Sequence, residues 1–196
     1  MFKRIGIYKF KKGVVNSSSR KVGEILVQRI GEKLYGHKPS DDTSYDELDD
    51  NDKKWEYKSC RVLFDDTKKK STLYDMFVRS NDLYSRLGKI SDIEKGKTIV
   101  NIQNIKMHTF DFLMYVLISK DGFDWYKIPK EELEEKVNSG EFPGWSNRHG
   151  REEADGKNCQ FWITSENLAW HSQYKFNHLS WEEVVEMAKE IKVKKK

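Results

Sequence analysis

Cysteine is nearly absent: Cys60 and Cys159 are the two in 196 residues. Two cysteines give no disulfide framework and no metal-ligand spacing, so a reducing cytoplasm is expected. Long apolar runs are missing too. The longest, Phe112 to Ile118, is far too short to cross a bilayer, and Met1-Phe2-Lys3-Arg4 opens no secretory signal. The expectation is a soluble cytoplasmic protein with no membrane partner. There is no G-x-x-x-x-G-K-[ST] phosphate loop, no G-x-S-x-G elbow and no Cys/His cluster for zinc. The acidic stretch 41–52 has oxygen ligands for Ca²⁺ but lacks the glycine and terminal glutamate of an EF-hand loop.

What is present is charge and aromatic mass. Hydrophobic residues make up 37%, charged residues 35% and aromatic residues 13%, with six Trp. That aromatic content excludes a disordered chain, and the length suits one domain with a substantial core. The net charge is +4, unevenly spread: residues 1–38 carry ten Lys/Arg against two Glu, whereas 41–52 carry seven acids and no base. A basic face beside a compact acidic focus suits a polyanion whose phosphate meets bound cations.

Along the chain, 1–18 read as an irregular basic arm. Val22, Ile25, Leu26, Ile30 and Leu34 recur at helical spacing, predicting a helix over Ser19 to Tyr35 that Gly36 stops. A hairpin is expected at roughly 43–49 and 53–64. Leu73, Phe77, Tyr84 and Leu87 suggest a second helix. Strands are expected at Thr98–Gln103 and Phe110–Ser119, the latter apolar enough to be central. Asp121-Gly122 signals a turn before Trp125–Ile128, and Pro129 opens a short acidic helix ending near Gly140. The segment 140–160 has no periodicity, Phe161–Thr164 reads as a short strand, and Ser180-Trp181-Glu182-Glu183 fits a capping box for a terminal helix.

The hairpin carries the chemistry. Asp46 stands ten positions before Glu56-Tyr57-Lys58. Side chains alternate along a strand, so Glu56 and Lys58 point one way and Tyr57 the other. A turn at Asp49 to Asp52 folds Asp46 back beside them. Two carboxylates and one ammonium then converge, an arrangement for holding Mg²⁺ and cutting a phosphodiester. Asp49, Asp50 and Asp52 are alternatives to Asp46 as the metal ligand. Lys58 has two open roles, as the base that orients or deprotonates water and as an electrostatic stabiliser.

Asp46 followed by Glu56-Tyr57-Lys58, behind a helix bearing Glu24, resembles the PD-(D/E)xK nuclease superfamily and, more narrowly, small type II restriction endonucleases. The position before the aspartate is Tyr45 rather than the namesake proline. The resemblance covers 19–64, and the strand pair 98–119 is expected to continue the same sheet. It implies an α/β single domain, with a central mixed β-sheet flanked by helices, acting with Mg²⁺ on double-stranded DNA as a homodimer. It also implies that Glu24 supports the metal site from the helix. On this reading 19–128 is the catalytic core, and 129–196 serves DNA recognition and dimerisation.

Arg reads guanine, Asn and Gln read adenine, and Lys/Arg hold phosphates. Candidates for base contacts are Asn147, Arg148, His149 and Arg151. Lys68, Lys69, Lys70, Arg79 and Arg86 suit phosphates, and Gln103, Asn104 and Lys106 are expected between two strands, bordering the catalytic cleft. His171 and His178 read as packing or capping residues. Two further readings remain at this stage: a repair or junction-resolving nuclease of the same superfamily, and a non-catalytic DNA-binding protein.

Overall fold

In the computed structural model of the chain, the described residues are 19–40, 46–63, 87–107, 109–140, 146–147 and 158–190. Helix α1 spans Ser19–Tyr35, as its apolar spacing predicts. Gly36 ends it at φ 71°, a left-handed conformation suited to glycine, with its N–H donating to the Glu32 carbonyl at 3.0 Å. Val27 and Ile30 are fully buried against Trp55 and Tyr57. The helix comes so close that a Cβ at Gly31 would lie 2.7 Å from Tyr57 Cε1.

Three strands follow as an antiparallel meander: β1 (Lys38–Pro39), β2 (Glu47–Leu48) and β3 (Lys54–Arg61). The turn between β2 and β3 is built by Asp49. Its Oδ1 accepts the N–H groups of Asn51 and Lys53, its Oδ2 accepts the Trp55 indole N–H at 3.2 Å, and Asp52 takes φ 58°. Such Asx bonding is how acidic side chains replace a backbone partner in tight turns. The second predicted helix falls outside the described residues except for Leu87, which is buried and bridges Leu63. A short helix α2 (Ile90–Glu94) follows it.

Next come β4 (Val100–Lys106), β5 (Phe112–Ser119), β6 (Gly122–Pro129) and the acidic helix α3 (Lys130–Asn138). The remainder is β7 (Ser146–Asn147), β8 (Asn158–Ile163), α4 (Leu168–Ser172), β9 (Lys175–Leu179) and α5 (Trp181–Glu190). The expected capping box is present: Glu183 Oε2 accepts the Ser180 N–H at 2.7 Å, and Ser180 Oγ accepts the Glu183 N–H at 3.3 Å.

The larger sheet has six strands in the order β1-β2-β3-β5-β6-β9. It is mixed, because β3 and β5 run parallel while its other neighbours are antiparallel. β5 is central and buried on both faces, which explains its unbroken apolar sequence. Alternation sends Met114, Val116 and Ile118 to a core shared with α1 and α5. Leu113, Tyr115 and Leu117 go to the opposite core.

That second core corrects two expectations. β4 does not continue the main sheet; it pairs with β8 in a separate three-stranded sheet ordered β4-β8-β7. Its pattern explains this: Val100, Ile102 and Ile105 alone are buried, so it is apolar on one face, unlike β5. Helices α1 and α5 flank one face of the main sheet. The other face is covered by the small sheet, with Ile93, Leu133 and Leu168 contributed by α2, α3 and α4. The segment 140–160, expected to lack regular structure, contains β7 and the start of β8, which covers most of the strand expected at Phe161–Thr164; α4 and β9 follow it. Among the described residues no helix is long and apolar enough to cross a membrane.

Candidate active site

Asp46 immediately precedes β2, and two hydrogen bonds fix it against β3. Its N–H donates to the Trp55 carbonyl at 2.9 Å, and its Oδ2 accepts the Tyr57 N–H at 2.7 Å. The register that sets Glu47 opposite Trp55 puts Asp46 beside Glu56. The other three candidate carboxylates are used elsewhere. Asp49 holds the turn, Asp50 pairs with Lys38 at 2.9 Å on the surface, and Asp52 sits exposed at the turn itself.

Glu56 and Lys58 share the face of β3 that looks toward the small sheet, together with Cys60, which packs on that core. Glu56 is only 3% exposed. Lys58 Nζ bonds Glu56 Oε1 and, at 3.1 Å, the Tyr57 carbonyl. Burial pushes the Glu56 carboxyl up, and the Lys58 charge opposes it. The Asp46 charge raises it further, while Lys106 at the end of β4 lowers it. Four charged groups from three segments therefore act on one point. A carboxylate so buried is costly unless a cation accompanies it.

The donor set has a definite chemical character. Asp46, Glu56 and the Tyr57 carbonyl present hard oxygen atoms. Among the described residues no group of three or more His, Cys, Asp or Glu side chains converges. Two carboxylates completed by a carbonyl, water and phosphate oxygen suit Mg²⁺, which keeps several waters, better than Ca²⁺ or Zn²⁺.

The remaining expected residues are distributed as follows. Glu24 belongs to the first half of α1, whose side chains lie outside the described set; the helix itself packs on the sheet face opposite Glu56 and Lys58. Gln103 and Asn104 lie within β4 rather than between strands, half-buried, with Asn104 at φ 57° where the pairing with β8 breaks register. Of the three β4 candidates, Lys106 is the one whose charge reaches Glu56. Asn147 is in β7 opposite Cys159, its side chain outside the described set. Lys68, Lys69, Lys70, Arg79, Arg86, Arg148, His149 and Arg151 lie outside the described residues.

Of the two isolated histidines, His171 is a packing residue, whereas His178 is exposed and pairs with an acid. His171 is buried with Nδ1 2.8 Å from Tyr115 Oη, and His178 contacts the buried Asp124 at 2.6 Å. Sequence reasoning missed Glu47, which is buried beside His37 behind the site. Its signal was parity: in a strand, the neighbour of an outward Asp46 must point inward. No protein-family model, no curated protein and no solved structure matches this chain.

Proposed function

We propose that the chain is a Mg²⁺-dependent endodeoxyribonuclease of the PD-(D/E)xK type, acting on double-stranded DNA as a type II restriction enzyme. The observation that carries this reading is the convergence of Asp46, Glu56 and Lys58, with Glu56 buried and bonded to Lys58. Support also comes from the order of elements: helix, acidic hairpin, Glu-x-Lys strand, then an apolar strand parallel to it.

Asp46 and Glu56 would hold the metal, with the Tyr57 carbonyl beside them. When bound, Mg²⁺ supplies Lewis acidity toward water and the phosphate oxygens. Lys58 is anchored to Glu56, so its ammonium would stand close to a metal-bound water and the phosphate. There it orients the water and offsets negative charge on the phosphorus oxygens. Lys106 adds positive potential that draws the phosphate toward two carboxylates that would otherwise repel it. Water oxygen bonds to phosphorus, one P–O ester bond breaks, and the leaving oxygen takes up a proton. A chain of this size cuts both strands most simply as a symmetric homodimer.

The test is incubation with unmethylated phage DNA of mixed composition, with Mg²⁺ or EDTA, beside Lys58→Ala. Discrete bands that need both Mg²⁺ and Lys58 support a site-specific endonuclease. A Lys58-dependent smear replaces that reading with a structure-selective or repair nuclease. DNA left intact by every form, but still bound, replaces it with a binding protein.

A further inference from the structure

On the far side of β3 from Glu56 and Lys58 lies a set of polar groups that the proposed chemistry does not use. His37 Nδ1 is 2.8 Å from Tyr57 Oη and 3.4 Å from Glu47 Oε2. All three residues are buried, Glu47 to 1% exposure. Neither Glu47 oxygen makes a well-formed hydrogen bond, although both His37 and Tyr57 are within electrostatic reach. The cluster is enclosed by Trp55, whose ring lies 4.3 Å from that of His37, and by α1, where Gly31 leaves room for the Tyr57 ring.

Packing alone does not account for these residue types. Apolar side chains of similar volume would fill the same space without burying a carboxyl. Their places in the chain are informative. Glu47 follows Asp46. Tyr57 stands between Glu56 and Lys58; its N–H is the donor to Asp46, and its carbonyl is the acceptor for Lys58. His37 links both to the end of α1. Glu47 and Tyr57 on the helix-covered face are thus immediate chain neighbours of site residues on the other face, and His37 contacts both of them.

We propose that His37, Glu47 and Tyr57 are positioning residues, a buried clamp joining β2 to β3 that sets the separation of Asp46 from Glu56. This rests on the nuclease reading for its catalytic consequence and on the site's oxygen donors for its metal-binding consequence. The clamp acts through the backbone and touches neither metal nor DNA. Misplacing a catalytic group by about 1 Å costs on the order of 100-fold in rate, so a modest relaxation of the hairpin is readily measured.

The experiment compares wild type, Tyr57→Phe, Glu47→Leu, Glu47→Gln and Glu56→Gln by three readouts. These are Mn²⁺ binding by calorimetry without DNA, DNA affinity without metal, and single-turnover cleavage at saturating DNA. Tyr57→Phe keeps the ring and removes the hydroxyl. It is expected to weaken Mn²⁺ binding about 10-fold and slow cleavage by about 10- to 100-fold, leaving DNA affinity within about twofold. Excess Mn²⁺ should restore part of the rate. Glu47→Gln, which keeps shape and polarity, should retain more activity than Glu47→Leu.

Mn²⁺ binding and cleavage at wild-type levels in folded Tyr57→Phe overturn the clamp. So does a loss that tracks falling thermal stability and ignores added Mn²⁺. Should Tyr57→Phe not fold, the Glu47→Gln and Glu47→Leu pair decides: equal behaviour of the two overturns the clamp. A wild type that binds Mn²⁺ through Glu56 but cuts no DNA refutes the nuclease reading while the calorimetry still judges the clamp. A wild type that binds no Mn²⁺ overturns both.

Discussion

Acid should unfold this protein through His171. The ring sits in α4 with no exposed surface, stacked on Phe161 at 5.3 Å and edge-on to Tyr115 at 5.9 Å. Burial lowers its pKa from 6.5 to about 3. The folded state therefore holds the imidazole neutral over a range where the unfolded chain protonates it. Stability from this group is complete above pH 6.5 and is lost as pH falls toward 3. Each pH unit inside that window removes about 1.4 kcal/mol. From pH 7 the loss reaches about 2 kcal/mol at pH 5 and about 3 kcal/mol at pH 4, a large part of the roughly 5–15 kcal/mol a domain possesses. Carboxylates titrate in the same range, so the contribution must be isolated by substitution. His171→Asn keeps an amide near the Nδ1 position facing Tyr115 Oη and does not titrate. Urea unfolding followed by tryptophan fluorescence at pH 7, 6 and 5 gives both stabilities. The variant should be the less stable at pH 7, and wild type should lose about 2 kcal/mol relative to it by pH 5. Parallel pH dependences would refute the reasoning and mean that the ring is protonated, or solvated, in the fold.

Other outcomes follow from particular contacts. Asp46→Asn should abolish Mg²⁺-dependent cleavage while Asp50→Asn leaves it intact, because Asp46 alone of the four candidates is hydrogen-bonded beside Glu56; cleavage assays of the two decide it. Gly122→Ala should be strongly destabilising, since its Cβ would lie 2.1 Å from the Leu179 carbonyl at a backbone φ of 139°; a drop in Tm of several degrees is expected from a cost of about 1–3 kcal/mol. Ser180→Ala should cost about 1 kcal/mol in a urea titration by removing the reciprocal cap with Glu183.

What the sequence discloses here is whatever depends on neighbours along the chain. The limits of α1, the turn at Asp49, the apolar strand β5 and the cap at Ser180 follow from periodicity and turn chemistry. Glu56 and Lys58 share a face for the same reason. Strands near β4 and β8 are expected from the sequence, but their pairing into a separate sheet is not legible, because the partners lie far apart along the chain and alternation alone does not name a partner. β9 was missed because Lys175, Phe176 and His178 are exposed, which removes the buried-face signal from an edge strand. The identity of the acidic residue beside Glu56 was ambiguous locally. A hydrogen bond from Tyr57, eleven positions from Asp46, resolves it.

The parallel junction of β3 with β5 has a kinetic consequence. β5 and β6 are joined by a two-residue turn and can zip together from local encounters. Docking β3 against β5 instead brings together groups 57 positions apart, as in the bond from the Lys54 N–H to Asp111. Closing that loop costs chain entropy before any contact repays it, so the junction belongs to the late part of folding. Until it forms, β5 presents an unpaired apolar edge, and a partly folded chain can join another through it. The strand that bears Glu56 and Lys58 is then both a late entrant to the sheet, as β9 is, and the cover for its most adhesive edge. Recovery of the proposed Mg²⁺ affinity during refolding should accordingly lag recovery of the β5–β6 hairpin, and yield should fall as protein concentration rises.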